Sequence, residues 1–306
     1  MASAVIDAVT ASCHNASVSA SPEDAQRDKE IVLDYSIDEL ISVCISRQIE
    51  DGEVVAQGLA TPLVTAGYLL AKLTHAPHLL FASAIGQALC QDWAPVGLST
   101  VEALWLDKAM VNLGFVRSVT ELLPIFYPKE FFRPAQVDPH GNLNNVIIGS
   151  DYVRPQMRLP GSGGIPDVTT FSDRVYLYVP RHSRAVFVEQ LDFVSGLGHN
   201  VARTRGAGPR YLLSDLGQFD FANGYMRLVS LHPGVSLEKV QAKTGFPLEI
   251  AANLAETPPP DASELRLLRE EIDPLSIRRL ETLSGGARKR LLREILERER
   301  QESRPL

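Results

Sequence analysis

The sequence predicts an α/β fold built on a mainly parallel sheet, and two kinds of observation support this. Short apolar runs typical of buried strands alternate with segments in which apolar residues recur at helical spacing. Strands that alternate with helices indicate βαβ units, in which successive strands run parallel. The apolar share of 45% and the charged share of 22% are ordinary for a globular chain of 306 residues.

The first helix is predicted after an N-terminal segment rich in Ala and Ser. Residues 1–35 contain few large apolar residues and no periodic pattern, so we expect a disordered extension there. Ser36 and Glu39 have the spacing of a capping box, and the apolar residues after them recur at helical spacing. The sequence therefore predicts a helix that starts at Ser36 and ends near Asp51-Gly52.

Alternating strands and helices are predicted after this first helix. Val54-Val55 begins a short strand, Pro62–Leu73 forms a helix with proline in its first turn, and Leu79–Phe81 forms a second buried strand. Further β-rich runs occur at Arg174–Val179, Ala185–Glu189 and Leu228–Leu231.

The C-terminal part has a different composition. Thr257–Pro260 predicts a stiff, extended linker, and Ala287–Glu302 predicts a charged helix that packs through a few apolar residues. We therefore expect an α/β domain over 36–256, followed by a proline linker and a helical tail over 257–306.

Charge and cysteine usage exclude several classes of function. A net charge of −7 without a basic cluster argues against nucleic-acid binding. The uncharged stretches Val54–Ala71 and Leu73–Gln91 contain prolines and polar residues, so they indicate a buried core and no membrane association. Cys13, Cys44 and Cys90 are scattered, which predicts no disulfide framework and a cytoplasmic location.

Three segments contain residue patterns that can bind a ligand. They are the glycine loop Gly161–Asp167, the turn Val137–Asn144 and the small residues Ala82–Gly86 after the second strand. Each also has a simpler interpretation as an ordinary turn or a packed strand end. The seven histidines are dispersed, and dinucleotide, phosphate-loop and zinc-protease motifs are absent, so we expect no metal and no permanently bound cofactor.

Taken in order, these segments resemble the β subunit of the family I CoA-transferases, in particular the glutaconate CoA-transferase branch. The resemblance runs from about Ile37 to Glu302. It depends on seven segments: Asp51–Val55, Leu73–Pro77, Val137–Asn144, Arg158–Gly164, Phe187–Phe193, Arg227–Gly234 and Glu264–Leu275. It implies a three-layer α/β/α sandwich, a homologous α subunit as partner in an αβ or α2β2 assembly, and a coenzyme A thioester as substrate.

The resemblance also implies a nucleophilic glutamate, which this chain lacks. The family pattern is an aromatic residue followed by Glu-Ser-Gly, whereas this chain has Phe81, Ala82, Ser83 and Ala84. Ala82 stands at the glutamate position, and the next acid along the chain is Asp92. An alanine methyl group cannot form a glutamyl-CoA thioester, so the usual transfer route is excluded unless the alanine is an engineered substitution.

The remaining site candidates are assigned through the same resemblance, as substrate- or CoA-binding residues. They are Gln57, Gly58, Ser83, Asn142, Asn144, Gly161, Ser162, Gly163 and Gly164.

Relatives that lack the glutamate open a ring of a steroid-derived acyl-CoA or decarboxylate a glutaconyl-type acyl-CoA. We therefore expect hydrolysis of a C–C bond or decarboxylation of an acyl-CoA. Two alternatives stay open. The first is CoA transfer with a carboxylate supplied by the partner subunit or lost by engineering. The second is a non-catalytic scaffold or regulatory subunit.

Overall fold

A ten-stranded, mainly parallel sheet forms the centre of the protein, with helices packed against both faces. The computed structural model describes residues 34–58, 61–99, 107–201 and 203–302. The predicted disordered extension falls almost wholly in residues 1–33, which lie outside the described residues. Chain connectivity follows the alternation that the sequence predicts, and the sheet topology confirms the α/β class.

The strands in chain order are β1 (Val54–Ala56), β2 (Leu80–Ser83), β3 (Ala88–Cys90), β4 (Ala109–Asn112), β5 (Lys129–Phe132), β6 (Gln136–Val137), β7 (Leu143–Asn144), β8 (Ile147–Ile148), β9 (Met157–Arg158), β10 (Val175–Val179), β11 (Tyr211–Ser214), β12 (Gly217–Ala222), β13 (Tyr225–Leu231) and β14 (Glu249–Glu256). The α-helices are α1 (Ile37–Ser46), α2 (Pro62–Leu73), α3 (Gly114–Arg117), α4 (Leu123–Phe126), α5 (Ile165–Phe171), α6 (Leu237–Lys243), α7 (Ala262–Arg266), α8 (Arg279–Thr282) and α9 (Gly285–Glu302). Wider π-helical turns occur at Ser118–Leu122 and Leu267–Ile272.

The large sheet has the strand order β14-β13-β12-β11-β10-β5-β1-β2-β3-β4. Its central strands β11, β10, β5, β1 and β2 pair in parallel, whereas β3, β4, β12 and β13 join through antiparallel pairs. Because the central strands are parallel, their carboxyl ends open onto one edge of the sheet, where ligands bind in open α/β sheets.

Two apolar layers cover the faces of this sheet. On one face α1 and α2 pack against Val55 and Phe81, with the 267–272 turn beside them. On the other face α5 and α6 lie over the side chains of Val175 and Leu177. The result is the three-layer α/β/α sandwich that the family resemblance implies.

Local sequence signals determine where the first helices begin. The Glu39 carboxylate accepts hydrogen bonds from the Ser36 backbone N–H at 2.8 Å and from its hydroxyl at 3.0 Å, as predicted for the start of α1. Helix α2 spans Pro62–Leu73, as predicted.

Two element predictions are wrong. Helix α1 ends at Ser46, well before Asp51-Gly52, because the chain turns at Arg47 and leads into β1. Ala185–Glu189 is β-rich but lies outside every strand. Its Phe187 forms one isolated bridge to Val137, so the segment has no neighbour along which a ladder could extend.

The segment after Thr257 packs closely on the α/β layers. Arg278 is only 2% exposed and pairs with Asp38 at 2.9 Å, Asp273 at 3.0 Å and Glu39 at 3.1 Å. The carboxylate of Glu281 accepts a hydrogen bond from the Leu63 N–H in the first turn of α2. The boundaries 36–256 and 257–306 stay a prediction.

None of the described helices is both long enough and apolar enough to span a bilayer. The described residues also contain no group of three or more His, Cys, Asp or Glu arranged to hold a metal ion.

Candidate functional site

The carboxyl ends of β1 and β2 meet, and hydrogen bonds join them. The Gln57 N–H donates to the Ala82 carbonyl at 3.0 Å, and the Ser83 hydroxyl donates to the Gln57 carbonyl at 3.1 Å. The same hydroxyl accepts from the Gly86 N–H at 2.9 Å, which holds the turn after β2. Gln57 and Ser83, predicted from separate segments, are therefore brought together, with Gly58 next in the chain.

Ala82 lies at this junction with its methyl group fully buried. It packs with Val54, Leu89 and Leu122 in a small apolar cluster. Ala56 pairs with Ala82 on one side and with Glu130 on the other, so the three residues form one row across β2, β1 and β5. Paired residues in neighbouring strands point to the same face of a sheet. The side chains of Ala82 and Glu130 therefore lie on one face, two strands apart.

A cavity of about 820 Å³ opens on this face of the sheet. We call it the apolar cavity, because most of its wall is apolar: Ile85, Phe115, Val119, Leu123, Pro124 and Phe171. Gly163 and Gly164 of the glycine loop line it, as does Ala84 after β2. Its volume lies in the range of small-molecule sites.

Glu130 also lines the apolar cavity, and its carboxylate forms no hydrogen bond or ion pair within the described part of the chain. Burial raises the pKa of this carboxyl to about 7, because the ionised form loses water without gaining a partner. A carboxyl with such a pKa exists in both protonation states near neutral pH, which suits proton transfer.

A second cavity of about 520 Å³ adjoins the glycine loop at the carboxyl ends of β5 and β10. We call it the arginine cavity, because Arg133 and Arg181 line it together with Thr61, Asn145 and Gly161. The glycine loop therefore borders both cavities, Gly161 on one and Gly163 and Gly164 on the other.

Several polar groups at or near these cavities have no hydrogen-bond partner among the described residues. The Gln57 Oε1 and Thr61 Oγ1 atoms are buried without a hydrogen-bond partner in the described residues. The N–H groups of Gly163 and Gly164 likewise form no hydrogen bond within the described part of the chain, while the Ser162 carbonyl accepts from Ile165. Such groups are available to a polar ligand.

Of the predicted site residues, only Gly161, Gly163 and Gly164 line one of the two cavities, and two of the others use their side chains within the fold. The Asn142 side chain donates to Asp138 at 2.8 Å and accepts from the Gly198 N–H at 2.7 Å. Asn144 is fully buried, and its amide donates to the Gln136 side chain and to the Ile147 carbonyl. Both asparagine side chains therefore stabilise turns of the fold. Their role in substrate binding stays a prediction.

Comparison with known proteins identifies the family of this chain. A model described as coenzyme A transferase matches residues 131–243. The cholesterol ring-cleaving hydrolase IpdB subunit of Rhodococcus jostii is 32% identical over 236 residues, which cover 74% of this chain and 88% of the relative. The chain belongs to the coenzyme A transferase family.

Other relatives of this coenzyme A transferase family member carry different activities in their names. The matching subunit of 3-oxoadipate CoA-transferase from Pseudomonas knackmussii is 30% identical over 260 residues, covering 77% of this chain and 92% of the relative. The crystal structure of the decarboxylase AibA/AibB superposes with a TM-score of 0.71 at 29% identity, covering 81% of this chain and 99% of the other. Transferase, hydrolase and decarboxylase relatives are thus similarly distant from this coenzyme A transferase homologue.

The cavity-lining residues Glu130, Arg133 and Arg181 are absent from the sequence prediction. Each lies at a strand of the parallel core: Glu130 is within β5, Arg133 directly follows β5, and Arg181 is two residues after the end of β10. The charged pair Lys129-Glu130 at the start of a strand in the parallel core is the one local signal that marks Glu130, because strands in that position are usually apolar.

Proposed function

We propose that this chain is the β subunit of a heteromeric enzyme that acts on an acyl-CoA thioester by hydrolysing a C–C bond or by decarboxylation. The observation that carries the proposal is the fully buried methyl group of Ala82 at the carboxyl end of β2, beside a large apolar cavity. Without a carboxylate at this strand end, a glutamyl-CoA intermediate has no residue on which to form, while the space for an acyl group remains.

The two cavities support an acyl-CoA as the ligand. The apolar cavity suits an acyl group. The arginine cavity offers Arg181 to the phosphates of coenzyme A, together with the remaining N–H groups of Arg133, whose Nη1 pairs with Glu281 at 3.0 Å. Since the glycine loop borders both, its unpaired N–H groups are available to the thioester oxygen between them. Gln57, Gly58, Ser83 and Ser162 lie on the segments that frame this region.

An exposed apolar surface supports a partner subunit. Residues 110–127 place Met110, Phe115, Val116 and Ile125 at the surface, with exposed fractions of 58%, 56%, 69% and 74%. Apolar residues concentrated in this way usually mark an interaction site. We assign this surface to a homologous α subunit in an αβ or α2β2 assembly, which would also close the mouth of the apolar cavity.

The buried free thiols of Cys44 and Cys90 are compatible with the cytoplasmic location expected from the sequence.

The test is to purify the chain in complex with its α subunit and to supply acyl-CoA thioesters with and without an acceptor carboxylic acid. We expect turnover without an acceptor, with release of a carboxylic acid or of CO2. Hydroxylamine or borohydride trapping should label no residue of this chain. Turnover that requires an acceptor, together with a trapped glutamyl thioester, would instead establish CoA transfer. A fully active α subunit on its own would establish a scaffold role.

A further inference from the structure

Glu130 is a carboxylate that the fold leaves unsatisfied at the wall of the apolar cavity. It is paired through the backbone with Ala56 and Val175, in the middle of the parallel strands, where side chains are usually apolar. An unpaired carboxylate in such a place destabilises the folded state. Because Glu130 does not stabilise the fold, an interaction with a ligand explains its presence better.

The charged groups around Glu130 do not neutralise it. Its strand neighbour Lys129 donates to Glu53 at 2.7 Å, and Arg174 also pairs with Glu53. From the helical side, α5 contributes Asp167 and the end of α4 contributes Tyr127, whose hydroxyl donates to the Phe171 carbonyl.

Behind the sheet, the Tyr68 hydroxyl donates to the Ala56 carbonyl at 3.2 Å. Among the described residues that line the apolar cavity there is no Lys or Arg. An anionic group of a ligand would therefore meet Glu130 and Asp167 without a compensating cation among the described lining residues, although Arg205 lies over the ring of Phe171 with 5.7 Å between its Cζ atom and the ring centroid.

The row Ala82–Ala56–Glu130 places the Glu130 carboxyl on the same face of the sheet as Ala82 at the carboxyl end of β2. Adjacent strands lie about 4.8 Å apart, so the Cα atoms of Ala82 and Glu130 are separated by roughly 10 Å on the same face. A small acyl group spans about that distance. At one end of the row Glu130 lines the cavity together with Ile85, Phe115 and Leu123, and at the other end Ala82 is buried in an apolar cluster against which Leu123 also packs. Water is largely excluded from such surroundings once a ligand binds.

We propose that Glu130 is the proton-transfer residue for hydrolytic C–C cleavage of an acyl-CoA whose apolar, uncharged acyl group occupies the apolar cavity. This inference rests on the proposed function and names its acid–base group and substrate class. The Glu130 carboxylate removes a proton from a water molecule as the water oxygen adds to a ketone carbon of the acyl group. The C–C bond then breaks, its electron pair passes to the carbon next to a second carbonyl, and the Glu130 carboxylic acid returns its proton to that carbon.

The balance of this step is one water consumed and one carboxylic acid formed, with Glu130 returned to its starting state. No oxidant, reductant or metal is required. An acyl group that carries its own carboxylate into the cavity is disfavoured, because Glu130 and Asp167 would repel it.

The experiment compares Glu130→Gln with Glu249→Gln in the complex of this chain with its α subunit. Glu249 is an exposed glutamate on β14, at the far edge of the same sheet, so it is a matched control. At pH 7 we expect Glu130→Gln to lower the turnover of a β-keto acyl-CoA by about 10² to 10⁴-fold, with the Kd for the acyl-CoA changed by less than threefold. Glu249→Gln should stay within twofold of the wild type.

Two acyl-CoA substrates of equal length, one ending in a methyl group and one in a carboxylate, test the substrate class. We expect the methyl-terminated substrate to have the higher kcat/KM. Full turnover by Glu130→Gln, or preference for the carboxylate, would overturn the inference while leaving hydrolysis by the wild type intact. Failure of the proposed function would look different, since the wild type itself would then show acceptor-dependent transfer and a trapped thioester.

Discussion

Two charged centres of this protein, one buried and one half-buried at a cavity wall, differ in whether they have ionic partners. Arg278 lies among the carboxylates of Asp38, Glu39 and Asp273, at distances of 2.9–3.1 Å. Glu130, at the wall of the apolar cavity, has no partner within the described residues. The difference separates a charge that holds the fold from a charge that is left available to a ligand.

The Arg278 centre shows what ion pairing achieves. The Asp273 carboxylate also accepts the N–H groups of Ile277 and Arg278, so it closes the turn before α8. Burial alone would raise the pKa of Glu39. Hydrogen bonds from Arg269 and Ser36 and the charge of Arg278 outweigh burial and lower it to about 2. The C-terminal segment is thereby fastened to the first helix.

The largest expected effect on stability comes from Arg278→Ala. Removing the guanidinium leaves Asp38 and Asp273 buried without their counter-ion, which typically destabilises a protein by about 3–5 kcal/mol. Urea unfolding measures the loss, and Arg279→Ala, at the exposed neighbouring position, is the control with a change of about 0.5 kcal/mol or less. A loss below about 1 kcal/mol for Arg278→Ala would show that its pairing is not what holds the C-terminal segment.

The opposite sign is expected for Glu130→Gln. The pKa of Glu130 is higher in the folded state than in the unfolded chain. Its titration therefore leaves the free energy of unfolding intact below pH 4.5 and lowers it as the pH rises through about 7. A shift from 4.5 to about 7 corresponds to about 3 kcal/mol, so the variant should be more stable than the wild type by up to that amount at pH 8.

The measurement for Glu130→Gln is the difference in unfolding free energy between variant and wild type at pH 4 and pH 8. Burial lowers the pKa of His182 to about 3 and of His232 to about 4, which removes stability as the pH falls, but these contributions cancel in the difference. Equal or lower stability of the variant at pH 8 would mean that Glu130 has a structural partner.

The pKa of Glu39 is shifted in the opposite direction to that of Glu130, so its effect on stability has the opposite pH dependence. Because its folded pKa is depressed to about 2, its contribution is present above pH 4.5 and is lost as the pH falls to 2. We expect the wild type to lose about 3 kcal/mol relative to Glu39→Gln over that range. Acid titration followed by circular dichroism checks this, with the exposed Glu270→Gln as a control that should follow the wild type.

The smallest effect is expected for Ser83→Ala. Its hydroxyl donates to Gln57 and accepts from Gly86, so the substitution removes two neutral hydrogen bonds from a buried turn. The expected loss in unfolding free energy is about 1–2 kcal/mol, measured by thermal unfolding. An effect as large as that of Arg278→Ala would contradict the distinction between charged and neutral buried groups.

Local signals in the sequence predict much of the fold. The Ser36–Glu39 cap, the proline that opens α2 and the alternation of apolar runs lead directly to α1, β1, α2 and β2. The end of α1 and the fate of Ala185–Glu189 could not be predicted, because both depend on which segments lie alongside and not on local preference.

The site is less predictable for the same reason. Glycine clustering marks the loop 161–164, and that loop does border both cavities. Asn142 and Asn144 looked equally suitable, yet their amides are consumed by Asp138 and Gln136. The next acid along the chain after Ala82 is Asp92, whereas the pairing of β1 with β5 brings Glu130 into the same row as Ala82.

The most direct test of the central claim is the pH dependence of kcat/KM between pH 5 and 9 for the wild-type complex and for Glu130→Gln, with one apolar β-keto acyl-CoA. The account predicts an inflection near pH 7 in the wild type, matching the raised pKa of Glu130, and its loss in the variant together with a fall of at least about 10²-fold. Superimposable profiles of equal height would contradict it.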